Sequence, residues 1–379
     1  MDRSSRLGPT PALRLVAAFC FIIALCLAMP FFPISARAQA VATPAISRVL
    51  LDTPMPSQAL GRDLPVTLYL PAGYDDLARH GRLPMLILLH GVNGTGKDWV
   101  LKGQLQQAAD NLIITGKLPP IIIAMPSSGN SWYVNSKAVG GPGDYETAIG
   151  TELPAWLSQH WHARVDAQGR AIAGYSMGGF GAMHLALEHP ENWAAAGALS
   201  GTFLTLAAAQ GLVPLYNHKI FAGSFGWPFD QKRLIAASPM TLALSLRHHQ
   251  APAVFLTCGR DDFFHLAREL TAMSLRLQDA GVKVTASLTK GGHDWDTWRA
   301  ALPDLLTFMG EHLREPPAQP PTSALIAKAM TEKAARLPPR NAGRKPSETQ
   351  VAGAPSGLIK ASAEHAVSAT TTADSDTIR

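Results

Sequence analysis

The chain has 379 residues, a formal net charge of +5 and 47% hydrophobic residues, a length that suits one large domain with extensions or two small domains. Residues 1–40 carry a net charge of +3, residues 315–379 carry +2, and residues 41–314 are neutral. No basic patch marks the body of the chain, so nucleic acid is excluded as a partner.

At the amino end, Arg3, Arg6 and Arg14 precede an apolar run from Leu15 to Phe32, and small residues follow at Ala36, Ala38 and Ala40. This layout predicts a secretory signal peptide over residues 1–40, cleaved after Ala40, with export to the periplasm or the medium. The run approaches the length of a membrane span, but Pro30, Pro33 and Ala38-Gln39-Ala40 favour cleavage, so no stable membrane insertion is expected afterwards. Cys20 and Cys26 fall inside the signal, which leaves Cys258 alone in the mature chain and precludes an intramolecular disulfide. Cys258 closes an apolar run and reads as a buried strand residue.

From there the elements alternate. Strand-like runs cover 64–70, 83–89 and 121–125, and an amphipathic helix follows over 145–160. A short apolar run at 170–173 leads into a helical pattern from Phe180. Strand-like 194–199 and 253–257, helix-like 264–280, strand-like 282–288 and helix-like 295–313 complete the series. Short, continuous apolar runs separated by helices predict an α/β fold over residues 41–314, with a mostly parallel central sheet covered by helices on both faces. The stretch 201–250 breaks the alternation with Gly211, Pro214, Gly223, Gly226 and Pro228, and is expected to be an insertion or cap over a site. From residue 315 the chain is rich in Pro, Ala, Ser and Thr and is expected to be disordered, apart from one weak helix over 323–337.

The chemistry gathers around Gly174-Tyr175-Ser176-Met177-Gly178, a Gly-x-Ser-x-Gly between a strand and a helix. Such a turn forces the residues two before and two after the serine almost into contact, which explains the glycines. It presents the hydroxyl of Ser176 as a nucleophile and the amide of Met177 toward any oxyanion formed there. A hydroxyl nucleophile needs a base, and the base an orienting acid. Two later loops supply them, each directly after a strand and therefore at the same sheet edge: Cys258 to Phe264, with Asp261 and Asp262, and Lys290 to Trp295, with His293. His293 is the expected base and Asp262, ahead of its neighbour Asp261, the expected acid. An early loop, His90-Gly91-Val92-Asn93-Gly94, brings the Val92 amide into reach as the second oxyanion donor, with His90 shaping the loop.

Two patterns point elsewhere. Gly91 to Lys97 matches the Gly-x4-Gly-Lys of a phosphate-binding loop, but Asp98 stands where magnesium needs a Ser or Thr. His160-Trp161-His162 and His248-His249 lack carboxylate or cysteine company at metal-binding spacing, so no metal or other cofactor is expected.

The set of motifs resembles a known family. His90-Gly91 with Asp98-Trp99, Asn130 to Tyr133, the Ser176 elbow, Cys258-Gly259 through Asp262, and Gly292-His293-Asp294-Trp295 are similar to the esterase D type branch of the α/β-hydrolases. That branch includes S-formylglutathione hydrolases, bacterial feruloyl esterases and mycolyltransferases. The resemblance spans residues 64–313 and implies the α/β-hydrolase fold. It also implies a serine hydrolase acting on carboxylic esters, with Ser176 as nucleophile, Asp262 as acid, His293 as base, and the Val92 and Met177 amides as oxyanion donors. Trp132 and Tyr133, on the loop before the 145–160 helix, are expected either to line an acyl or aryl pocket or to pack that loop on the sheet. The expected substrate is a small-molecule, lipid or sugar ester. Acyl transfer to a sugar or lipid alcohol needs the same three residues, and a non-catalytic binding protein could keep the same fold.

Overall fold

The structure, a computed structural model, describes residues 46–203, 220–246 and 251–313. The expected signal segment 1–40, the tail 315–379 with its expected helix, and parts 204–219 and 247–250 of the expected insertion lie outside the described residues. The chain divides into two units, Met1–Pro317 and Ala318–Arg379, and all described residues belong to the first.

In chain order the elements are β1 (Arg48–Ser57), β2 (Arg62–Leu70), α1 (Tyr74–His80), β3 (Met85–Leu89), α2 (Asp98–Leu101), α3 (Leu105–Ile114) and β4 (Ile122–Pro126). A turn Tyr145–Thr147 and a π-helical turn Ala148–Glu152 lead into α4 (Leu153–His160). Then come β5 (Arg170–Tyr175), α5 (Met177–Glu188), β6 (Ala195–Leu199), α6 (Gln231–Ala237), α7 (Pro239–Leu242), β7 (Ala253–Gly259), α8 (Leu266–Asp279), β8 (Val284–Thr289) and α9 (Trp295–His312). The eight strands form one sheet in the order β1-β2-β4-β3-β5-β6-β7-β8. The β1/β2 and β2/β4 pairs are antiparallel, and every pair from β4 to β8 is parallel.

Side chains alternate between two cores, one on each face of the sheet. Met85, Ile87 and Leu89 of β3 join Ile149, Leu153, Phe180, Met183, Leu270 and Met273, so the helical run 145–160, α5 and α8 cover that face. Leu86 and Leu88 join Leu105, Ala109, Trp298, Leu302 and Leu305, which places α3 and α9 on the other. This is why β3 reads as an unbroken apolar run: both of its faces are covered.

Within the described residues the expected elements are present with shifts of up to three residues, while β1, α1, α2, α3, α6 and α7 lie where the pattern predicts none. β1 carries Pro54 and Pro56, which a strand accepts only at a sheet edge, where β1 lies. α8 begins at Leu266 and not at Phe264. The Phe264 amide donates to Asp262 Oδ1 (3.0 Å), and His265 takes a left-handed conformation (φ 60°) that cannot continue a helix.

Candidate active site

β3, β5, β7 and β8 end at Leu89, Tyr175, Gly259 and Thr289, so the loops that follow all leave from the carboxyl edge of the sheet. Ser176 sits between β5 and α5 with φ 55° and ψ −119°, outside the regions an L-residue ordinarily adopts. Close packing holds it there. A Cβ on Gly174 would come within 2.3 Å of the Gly178 backbone, and one on Gly178 within 2.2 Å of the Leu89 carbonyl oxygen. The Met177 N–H opens α5, where no intrahelical acceptor exists for it.

The acid and base loops are joined through backbone. The Arg260 amide donates to the Thr289 carbonyl (2.8 Å) and the Asp261 amide to the Gly291 carbonyl (2.9 Å). Gly259 and Gly291 make that approach possible, since a Cβ on Gly259 would lie 2.3 Å from the Gly291 oxygen. The result is a continuous relay: Ser176 Oγ lies 2.9 Å from His293 Nε2, and His293 Nδ1 lies 2.8 Å from Asp262 Oδ2. Asp262, not Asp261, faces the imidazole; Asp261 is exposed and contributes its amide. Asp294, not His293, caps α9, accepting from the Thr297 amide (2.9 Å).

Burial on its own would raise the Asp262 carboxyl, but the hydrogen bond and charge of His293, with the Phe264 amide, hold it below its ordinary range. An ionised Asp262 accepts only, so Nδ1 of His293 carries the hydrogen and Nε2 is left to accept from the Ser176 hydroxyl. Cys258 lies 3.6 Å from the same carboxylate, and burial, reinforced by the Asp262 charge, pushes its thiol up to about 12. It is a neutral strand residue beneath the acid.

The early loop is built as a rigid shoulder. The Ser128 amide donates to His90 Nε2 (3.0 Å), which fixes the proton of the buried imidazole on Nδ1, from where it is donated to the Gly91 carbonyl (2.8 Å). Gly91 passes so close to the elbow that a Cβ would meet Ser176 Cβ at 3.2 Å, and Val92 lines the cavity beside it. The phosphate-loop pattern is disposed of by the same geometry. The Asn93, Gly94, Thr95 and Gly96 amides are bound to Asn130, Gly91, Asp98 and Ser127, and Asp98 pairs with Lys102 at 3.1 Å. No amide row is left to cradle a phosphate.

A cavity of about 640 Å³ opens over Ser176 and His293. Its lining includes Trp132, Ile220 and Phe221 toward the insertion, and Tyr175, Trp295 and Trp298 on the other flank. Trp132 is buried, donates its indole N–H to the Ile220 carbonyl (3.0 Å), and meets Phe180, Phe221 and Phe225 in edge-on and tilted ring contacts. Tyr133 is not among the residues that line the cavity, so of the two expected roles, lining a pocket or packing the loop, the pocket role does not hold for it. Its ring fills the space over Gly181 and its hydroxyl donates to the His90 carbonyl (2.7 Å), so it packs the loop.

Phe264, Phe221, Ile220, Trp295 and Trp298 are assigned no role by the sequence motifs. Phe264 reaches the cavity from the end of the acid loop, Trp295 and Trp298 from the start of α9, and Ile220 and Phe221 from the 201–250 stretch. Among the described residues no group of three His, Cys, Asp or Glu comes together as a metal site, and no helix is long and apolar enough to cross a membrane. His248-His249 lies outside the described residues.

Comparison with known proteins agrees with this architecture. The Esterase family model, described as "Putative esterase", matches residues 57–309. An esterase of Mycobacterium tuberculosis is 31% identical over 262 residues, spanning 62% of this chain and 54% of that protein. The chain thus spans about half the length of this relative. An acetyl esterase of Caldicellulosiruptor saccharolyticus is 25% identical over 238 residues, spanning 60% of this chain and 84% of its own. A solved ferulic acid esterase superposes with a TM-score of 0.60 at 26% identity, covering 71% of this chain and all of that one (100%). With more than half its length matched and an eight-stranded, mostly parallel sheet, the chain belongs to the Esterase family, in the esterase D type branch of the α/β-hydrolases.

Proposed function

We propose that this protein is an exported serine esterase that hydrolyses carboxylic esters through a covalent acyl-enzyme. The observation that carries the reading is the unbroken Ser176–His293–Asp262 relay at 2.9 and 2.8 Å, opening onto a cavity with an aromatic wall. Ser176 Oγ attacks the ester carbonyl while His293 Nε2 takes its proton, and Asp262 stabilises the imidazolium that forms. The amides of Val92 and Met177 receive the developing oxyanion, a contact worth about 3 kcal/mol per donor. His293 then gives the proton to the leaving alcohol, and water, activated by the same base, releases the acid. Trp132 and Phe221 offer an apolar aromatic surface for the acyl group. The signal segment supports export.

The test is Ser176→Ala assayed on short p-nitrophenyl esters, beside labelling of the wild-type protein with a fluorophosphonate. Turnover should fall by about 10⁴-fold or more, and mass spectrometry should find the label on Ser176. Full activity in Ser176→Ala would end the serine mechanism. A transfer product in place of free acid, when a sugar or lipid alcohol is added, would replace water by that alcohol as the acceptor.

A further inference from the structure

Two aromatic rings on the acid loop stand out because they are not buried. Phe263 is 66% and Phe264 41% exposed, and their ring centroids lie 4.2 Å apart. Both stand against the imidazole of His293, Phe263 at 5.7 Å and 77°, Phe264 at 4.9 Å and 86°. The Phe264 ring lines the cavity, and its amide, by donating to Asp262 Oδ1, ties it to the acid. A third ring on His293, that of Trp298 at 5.0 Å, is already committed to the core. It is buried, donates to Ser200 Oγ (3.2 Å) and lies 4.4 Å from the Tyr175 ring. Phe264 therefore approaches the base from the open side.

In the serine-esterase reading, on which this inference rests, the carbon bonded to Ser176 Oγ carries three other groups. The oxyanion points at the Val92 and Met177 amides. The leaving oxygen must come within hydrogen-bond reach of His293 Nε2, about 3 Å, because it takes the proton from there. The acyl group takes the remaining direction. Whatever the leaving oxygen carries thus begins beside His293, within a ring's width of Phe264. Trp132 and Phe221, whose ring contacts run to Phe180 and Phe225, lie with the insertion instead.

We propose that Phe264, backed by Phe263, forms an alcohol-side subsite that takes a leaving alcohol bearing a ring with an apolar face, aryl or sugar. An aromatic face recognises both, through ring stacking in the first case and the apolar C–H face in the second. Phe264 thereby sets which alcohol is accepted, while the wall of Trp132 and Phe221 sets which acyl group is.

The experiment crosses two ester series with the wild type, Phe264→Ala and Phe264→Tyr. One series holds butyrate and varies the alcohol through methyl, cyclohexyl, phenyl and glucosyl; the other holds the methyl ester and varies the acyl group from acetate to hexanoate. The ratio of mutant to wild-type kcat/KM cancels each ester's intrinsic reactivity. For Phe264→Ala this ratio should be about 10-fold lower on the ring alcohols than on the methyl ester, and flat across acyl lengths. Phe264→Tyr should restore the ring preference. The phenyl and glucosyl arms distinguish the two kinds of ring. A ratio uniform across alcohols would reduce the Phe264 ring to packing on His293 and would overturn the subsite, as would a ratio that follows acyl length. Should Phe264→Ala fail to fold, Phe264→Leu, which keeps apolar volume without a flat face, makes the same comparison. Wild-type protein inactive on every ester would instead overturn the esterase reading and the subsite with it.

Discussion

Ser176 is held in a conformation its own backbone disfavours, and the cause is external: Gly174, Gly178 and the β3 carbonyl of Leu89 leave it no alternative. A methyl group on Gly178 would sit 2.2 Å from a backbone oxygen, which cannot swing aside as a side chain could. Gly178→Ala should therefore shift the elbow, lowering stability by about 2–3 kcal/mol and reducing turnover further by displacing Oγ from His293. Gly81 is the control, because it is extended (φ 176°) and a Cβ there meets nothing within 4 Å. Gly81→Ala should change stability by less than about 0.5 kcal/mol. Urea denaturation of both variants, with ester assays, checks the pair; equal effects would show that crowding is not what holds the elbow.

At the scale of elements, how much of the site was legible follows from how each residue reaches it. Ser176, Asp262 and His293 were legible because each stands within a few residues of a strand end, and parallel strands all deliver their ends to one edge. The choice between Asp261 and Asp262 was only half legible, since it depends on which residue spends its amide on Gly291 and which turns its carboxylate inward. Trp298 arrives by the phase of α9 and Phe221 through the insertion, so neither has a local signature. β1 was hidden by its own prolines. The stretch 201–250 shows in the sequence as a break in pattern, but nothing local shows what attaches it to the core. Beside the Trp132 contacts, one part of that attachment is His184 of α5, which is buried with Nδ1 2.9 Å from the Ala237 carbonyl at the end of α6 and Nε2 3.2 Å from Glu146. One side chain thus joins the helix that begins at the elbow, the 145–160 run and the insertion. His184→Ala leaves both acceptors without that donor and should cost about 2–3 kcal/mol. Limited proteolysis should then cut within residues 220–246 sooner than in the wild type; an unchanged cleavage pattern with reduced stability would confine the role of His184 to α5.

For the molecule as a whole, the same ion pairs set its response to acid. Residues 41–314 have no net charge, so general repulsion is small near neutrality and individual carboxylates dominate the slope. The hydrogen bond from His184, with its charge and that of His189, outweighs burial and holds Glu146 low. At Asp262 burial is likewise outweighed, by His293 and the Phe264 amide. Asp166 is also lowered, its burial offset by Arg164, but nearly half its side chain is exposed and solvent screens the pair. The direction of linkage follows from these depressions. The unfolded carboxyls titrate near their ordinary value of about 4, whereas the folded ones titrate lower, so over that interval the unfolded chain binds more protons. The stabilisation from Asp262 and Glu146 is therefore complete above the ordinary carboxylate range and is lost as pH falls through the folded values. Thermal midpoints measured from pH 7 to pH 3 should be nearly level with respect to these groups down to about pH 5 and then decline. The double variant Asp262→Asn, Glu146→Gln should start from a lower midpoint at neutral pH and decline less steeply, because the two groups that take up protons on unfolding are gone. An acid slope equal to that of the wild type would place the proton uptake on other carboxylates and remove both pairs from the account of acid stability.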